Sequence, residues 1–173
     1  CSRSGTGGWR TDPAVSGGGH FFDVGSHRID MLLHLLGDVA EVSGYAENLL
    51  GHHTAENDVV LALRMASGAL VSAGFHYQAS PSRDTLEIYG TEGTLILDPF
   101  DGETFSLHQG GGAAPETFAY PIPSPVHLPF VQALVDVYKG DTTSPHVTGE
   151  EGAKTTRILD LALRSLPSPK LGA

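Results

Sequence analysis

The sequence predicts an α+β domain in which helices cover one face of a mostly antiparallel open sheet. Three observations predict it. An apolar helical pattern begins at Phe21, residues 39 to 97 switch to a period of two broken by glycine turns, and helical patterns return from Phe130 onward.

The lead-in, residues 1–19, is rich in Gly, Ser and Pro with Trp9 as its aromatic, and reads as a loop. From Phe21 the apolar residues fall at 21, 22, 24, 29, 31, 32, 33, 35 and 36, too densely for a solvated helix and suited to one buried between layers. Gly37 ends it as a left-handed cap. Val59, Leu61 and Leu63 then alternate with Val60, Ala62 and Arg64, and a second strand runs over Leu70 to Tyr77. Ser67-Gly68 between them has the composition of a hairpin turn, and Gly90-Thr91-Glu92-Gly93 separates Leu86–Tyr89 from Thr94–Leu97 in the same way. Thr104–His108 and Glu116–Tyr120 are weaker strands around the Gly110–Pro115 loop. Phe130, Val131, Leu134, Val135 and Tyr138 recur at helical spacing up to Gly140. Thr148 and Glu151 form a capping box for a last helix through Leu166, and Pro167 and Pro169 break it. A strand such as Val59–Leu63, apolar in both directions, asks for cover on both faces of the sheet, so a second copy packed sheet against sheet is expected.

Composition bounds the function. With 173 residues, 40% hydrophobic, the chain is read as a single domain over 1–173, its α+β body occupying 20–173. Ten Lys and Arg against twenty Asp and Glu give a formal charge of −10, which repels nucleic acid and anionic membrane. The longest apolar run, Val59 to Leu63, falls far short of the ~20 residues of a membrane span. Cys1 is the single cysteine, so no internal disulfide and no CxxC pair exist, which fits a reducing, cytoplasmic setting. The first twenty residues lack the apolar stretch of a signal peptide, and the start without Met reads as a fragment.

The chemistry concentrates in Gly17-Gly18-Gly19-His20-Phe21-Phe22-Asp23-Val24-Gly25-Ser26-His27-Arg28-Ile29-Asp30. In a helix beginning near Phe22, Asp23 and His27 stand one turn apart on one face. A carboxylate and an imidazole at that spacing can hold a hydroxyl and remove its proton, and the glycines before them allow close backbone approach to a ligand. A cap and a surface histidine have the same spacing, so spacing alone does not decide. Trp9 and Arg10, with Asp12, can line a substrate pocket, and His76 and Tyr77 at a strand end can reach the same cleft. His52-His53, on a strand, would point to opposite faces. No three or four ligands converge, so no metal is expected.

The run GGGHFFDVGSHRIDMLLHLLG resembles the signature that opens the C-terminal domain of the glucose-fructose oxidoreductase, inositol dehydrogenase and MocA-like (Gfo/Idh/MocA) NAD(P)-dependent oxidoreductases. ENDVVLALRMASGALVSAGF, LEIYGTEGTLIL and SPHVTGEEGAKTTRILDLALRS resemble later segments of that domain in the same order, so the likeness runs from about Trp9 to Ser165. It implies a fold like the C-terminal domain of glyceraldehyde-3-phosphate dehydrogenase, serving substrate binding and oligomerisation. It implies hydride exchange between NAD or NADP and a sugar or polyol. On that likeness His27 becomes the proton acceptor and Asp23 the group that positions the hydroxyl; the residues themselves suggest Trp9, Arg10, Gly18, Gly19 and Tyr77 around the substrate, and the two-sided sheet a homodimer or tetramer. The family's Glu-Lys-Pro motif and its N-terminal Rossmann half are not found in this sequence. Lys139, Lys154 and Lys170 lie in or beside the closing helices, and Gly5–Arg10 only imitates a dinucleotide loop. The cofactor site is therefore expected elsewhere, and this piece alone is expected to be inactive. Two alternatives stay open: a relative that cleaves glycosides through a retained NAD, and a non-catalytic assembly or regulatory module.

Overall fold

A computed structural model of the chain describes residues 8–49, 51–99, 102–141, 143 and 148–164. It is α+β with antiparallel sheets, as the alternation implies, but the strands divide between two sheets. One compact unit falls within Cys1–Ala79 and Val147–Ala173, the other within Ser80–His146.

In the first unit β1 (Val39–Glu47), β2 (Asp58–Met65) and β3 (Leu70–His76) pair in that order. Gly68 turns the β2–β3 hairpin with φ of 92°, a conformation a side chain would strain. Val59 pairs with Ala46 and Phe75, and Leu61 with Gly44 and Ala73, so these residues share one face. That face is the core side: Val59, Leu61, Leu63 and Met65 are buried. α2 (Ser26–Leu36) and α4 (Gly149–Leu163) complete this core with Ile29, Leu32, Ile158, Leu159 and Ala162; α4 packs on both β1 and α2. Each such Val, Leu, Ile or Met side chain contributes ~1.5–3 kcal/mol through the water it sheds.

The capping box forms as the sequence predicts. Thr148 accepts from the Glu151 amide at 3.3 Å and Glu151 accepts from the Thr148 amide at 3.0 Å. Lys154, read as solvated surface, is half exposed and pairs with Asp38 at 2.6 Å. That carboxylate raises the pKa of its ammonium. Leu166, Pro167, Pro169 and Lys170 lie outside the described residues.

Four expectations are modified. The lead-in folds locally into a 3-10 turn at Trp9–Thr11 and a short α1 at Pro13–Ser16, because Asp12 caps the Ala14 amide at 3.1 Å and Pro13 presets the first turn. The helix at Phe21 buries one stripe (Phe21, Gly25, Ile29 and Leu32), with Leu35 49% exposed. Gly37 does take a positive φ of 85°, but its ψ of −161° lies outside the left-handed helical well. The outward face of the sheet is mixed: Tyr45, Val60 and Ala62 are exposed beside an Arg64–Glu41 pair at 3.1 Å and a His76–Asp58 pair at 2.9 Å.

In the second unit β4 (Leu86–Tyr89), β5 (Gly93–Leu97), β6 (Thr104–Gln109) and β7 (Glu116–Ala119) form an antiparallel meander in chain order. Phe105 and Phe118 stack at 4.9 Å across β6 and β7. The stretch between β3 and β4 is polar, contains Pro81 and carries no ladder, so the two sheets remain separate. α3 (Leu128–Tyr138) forms where its spacing predicts and buries none of its side chains.

Candidate functional site

The site is built on the chain from Trp9 to His27, held from beneath. Phe21 is fully buried and meets Phe75 of β3 edge to face at 5.0 Å. Phe22 folds back over Gly18, where a Cβ would lie 2.4 Å from the Phe22 ring. Gly19 donates its amide to Oε1 of Glu56 at 2.6 Å, and a Cβ there would stand 2.5 Å from the Glu56 carbonyl. Gly18 and Gly19 are thus buried, and packing against the protein's own groups explains why both lack side chains.

Between these anchors residues Phe21–Gly25 form a π turn rather than the opening of an α-helix. The wider turn accommodates two consecutive aromatic rings packed against different partners, and it changes the relative direction of side chains at 23 and 27 from what α spacing predicts. Asp23 lies in the π turn and His27 in the first turn of α2, both exposed. Ser26 donates its hydroxyl to the Asp23 carbonyl at 2.8 Å.

Arg10 donates its Nε–H to Oδ2 of Asp23 at 2.8 Å and lays its guanidinium over the Trp9 ring, 4.4 Å from the centroid. An adjacent cation, more than the end of a helix, therefore holds the Asp23 carboxylate. Trp9, Arg10, Gly19 and Asp23 come together with Ser16 and Phe22 around a hollow of about 190 Å3. His27 stands one turn further on, outside the residues that line it.

Gly18 and Tyr77 do not reach this hollow. Tyr77 packs beside Phe75 and His20, and its hydroxyl is buried against the Gly25 backbone. Burial, and secondarily the Glu56 carboxylate, push its phenol well above the ordinary range. His76 is on the exposed face of β3, paired with Asp58.

The stretch between β1 and β2, where the period of two puts His52-His53 on a strand, is instead a loop, and it carries the Glu56 partner of Gly19. Asn57, 2% exposed, accepts from the Leu49 amide at 3.0 Å and donates to Oδ1 of Asn48 at 3.0 Å; Asn48 in turn donates to the His53 carbonyl. His52 and His53 lie in this bent loop and not on a strand. Both ring nitrogens of His53 are buried without a partner, a deficit of ~1–3 kcal/mol for the one that carries hydrogen. Among the described residues no group of three or more His, Cys, Asp or Glu could hold a metal ion. No helix among them is long and apolar enough to cross a membrane.

Residues 2–96 match the GFO/IDH/MocA C-terminal domain. The chain belongs to that family. The match spans the whole of the candidate site, from Trp9 through His27 to the β1–β2 loop and Tyr77. Oxidoreductase P35 of Formosa agariphila is 28% identical over 155 residues, covering 88% of this chain and 46% of its own length. The same fold is seen in an aldose-aldose oxidoreductase from Caulobacter crescentus crystallised with glycerol, at a TM-score of 0.77 and 21% identity over 95% of this chain and 50% of that one. It is also seen in a levoglucosan dehydrogenase in complex with NADH and levoglucosan, at a TM-score of 0.74 and 20% identity over 91% of this chain and 51% of that one. The chain spans about half the length of these GFO/IDH/MocA-like relatives.

Proposed function

We propose that this domain binds the substrate of an NAD(P)-dependent oxidoreductase acting on a sugar or polyol, with Asp23 and His27 handling the reacting hydroxyl. The observation that carries the reading is the Asp23 carboxylate, exposed at a hollow, held by Arg10, and one turn before an exposed imidazole in a chain of this family. The described residues contain no strand, glycine loop and helix in succession, so a dinucleotide pyrophosphate has no cradle among them. They do fit the reacting end of such a site. A bound nicotinamide supplies the hydride acceptor or donor. This chain's part is the hydroxyl: one Asp23 oxygen accepts its hydrogen bond while Nε of Arg10 fixes the other, and His27 takes the proton as the carbonyl forms.

Two further parts of the reading concern assembly and setting. The exposed outer face of β1–β3 is where a second copy packs, making a dimer or tetramer, and the protein works in the cytoplasm. A panel of sugars and polyols, each assayed with NAD and with NADP on the protein carrying its cofactor-binding half, tests the enzymatic reading. Reduction of a nicotinamide by at least one of them is expected. Silence across the panel, or hydrolysis without net redox change, would reject it.

A further inference from the structure

The hollow beside Asp23, at about 190 Å3, is smaller than the roughly 300–1,000 Å3 usual for small-molecule sites. A second hollow, of about 430 Å3, shares Trp9 as a wall and lies between the Trp9–Asp12 turn and the loop carrying His52, His53 and Thr54. We propose that the two form one elongated site for a carbohydrate of two linked rings, one ring held at Asp23 and the second between Trp9 and His53. The inference rests on the sugar reading above and specifies the size of the sugar.

Trp9 is the shared wall. Its ring carries the Arg10 guanidinium yet remains 59% exposed, leaving a flat apolar surface of the kind on which the C–H face of a sugar ring rests. Thr11, Asp12 and Thr54 add short polar groups around it. Asp12, in a chain of formal charge −10, disfavours a phosphorylated or carboxylated ligand and leaves a neutral polyhydroxylated one.

His53 supplies the second observation. It lines the larger hollow while both of its ring nitrogens are buried with no partner, so nothing polar holds the imidazole. Its backbone is secured, since Asn48 binds the His53 carbonyl and Asn57 binds Asn48. Rotation of the ring about its side-chain bonds would bring a nitrogen to face the hollow. A sugar hydroxyl both donates and accepts, and so satisfies either tautomer.

Trp9 is the sole tryptophan of the chain, so intrinsic fluorescence reports this site directly. Glucose, maltose and cellobiose are titrated into the 173-residue chain. The expected result is a midpoint about tenfold lower for at least one disaccharide than for glucose, the worth of roughly one added hydrogen bond. His53→Ala should bring the disaccharide midpoint up to that of glucose and leave glucose unchanged; Thr54→Val, which keeps the packing, should give a smaller loss in the same direction. Equal midpoints in the parent chain, no response to any of the three sugars, or a preference that survives both substitutions overturns the proposal. The enzymatic reading is judged separately by nicotinamide reduction: oxidation of single-ring sugars with equal fluorescence midpoints removes the second ring and keeps the enzyme.

Discussion

Arg10 and Asp23 are thirteen residues apart and joined by a 2.8 Å charged hydrogen bond, with side chains 50% and 41% exposed. An ion pair this exposed contributes ~0.2–1 kcal/mol to folding. Its effect falls instead on geometry, because it sets the direction of a carboxylate at the edge of the hollow. Arg10→Ala is therefore expected to change unfolding stability by less than ~1 kcal/mol while lowering kcat/KM for the sugar, and Arg10→Lys to restore only part of it, since an ammonium lacks the planar fork. Denaturant unfolding and steady-state kinetics on the same variants separate the two effects; a large stability loss with unchanged kcat/KM would make the pair structural.

His27→Ala is expected to lower kcat by ~10²- to 10⁴-fold, the usual contribution of a placed general base, with nicotinamide affinity unchanged. Equal turnover in variant and parent removes His27 from the proton path.

Tyr77→Phe discriminates between a substrate contact and a packing residue. The hydroxyl is buried with the Gly25 backbone as its polar neighbour, so its deletion should change stability at pH 7 by less than ~1 kcal/mol. The folded pKa lies above the unfolded value of 10.0. The associated stability is fully present below pH 10 and is lost as pH rises above it toward the folded pKa. Tyr77→Phe should therefore flatten the alkaline limb of a stability–pH curve, and kcat/KM should hold; a steep fall in kcat/KM would restore Tyr77 to the substrate site.

Gly19→Ala forces a Cβ to within 2.5 Å of the Glu56 carbonyl and 2.9 Å of the Ala55 Cβ. Overpacking of this kind destabilises by ~1–3 kcal/mol. A lower urea midpoint is expected, against an unchanged one for Gly110→Ala, where nothing lies within 4 Å. An unshifted midpoint for Gly19→Ala means the loop yields easily.

For assembly, light scattering on the chain should give at least a dimer mass, and Val60→Asp on the exposed face of β2 should reduce it to that of a monomer. A monomer in the parent chain contradicts packing through the sheet.

Much of the fold could be read in the sequence because its signals are local. Val59, Leu61 and Leu63 mark the buried side of β2 by alternation alone, Gly68 marks its hairpin, and Thr148 with Glu151 marks the start of α4. Asp12-Pro13 carried an equally local helix-start signal that the glycine-rich lead-in obscured. The π turn was not legible: its cause is the seating of Phe21 on Phe75 and of Phe22 on Gly18, and the first of these joins residues far apart in sequence. The site divided in the same way. The sequence marked Asp23, Arg10, Trp9 and Gly19 as candidates, but the Glu56 contact to Gly19 and the Asn48–Asn57 support of His53 involve a loop without periodicity or motif.

The widened turn at Phe21–Gly25 acts as a phase offset between two stretches of helix-like chain. Each residue of an α-helix advances its neighbours by about 100° around the axis. Deleting a single residue from this turn would let α2 run back unbroken toward His20 and would rotate the chain before it by roughly a quarter of a revolution relative to α2. Backbone phase, more than the chemistry of either side chain, decides whether the carboxylate and the imidazole address the same molecule.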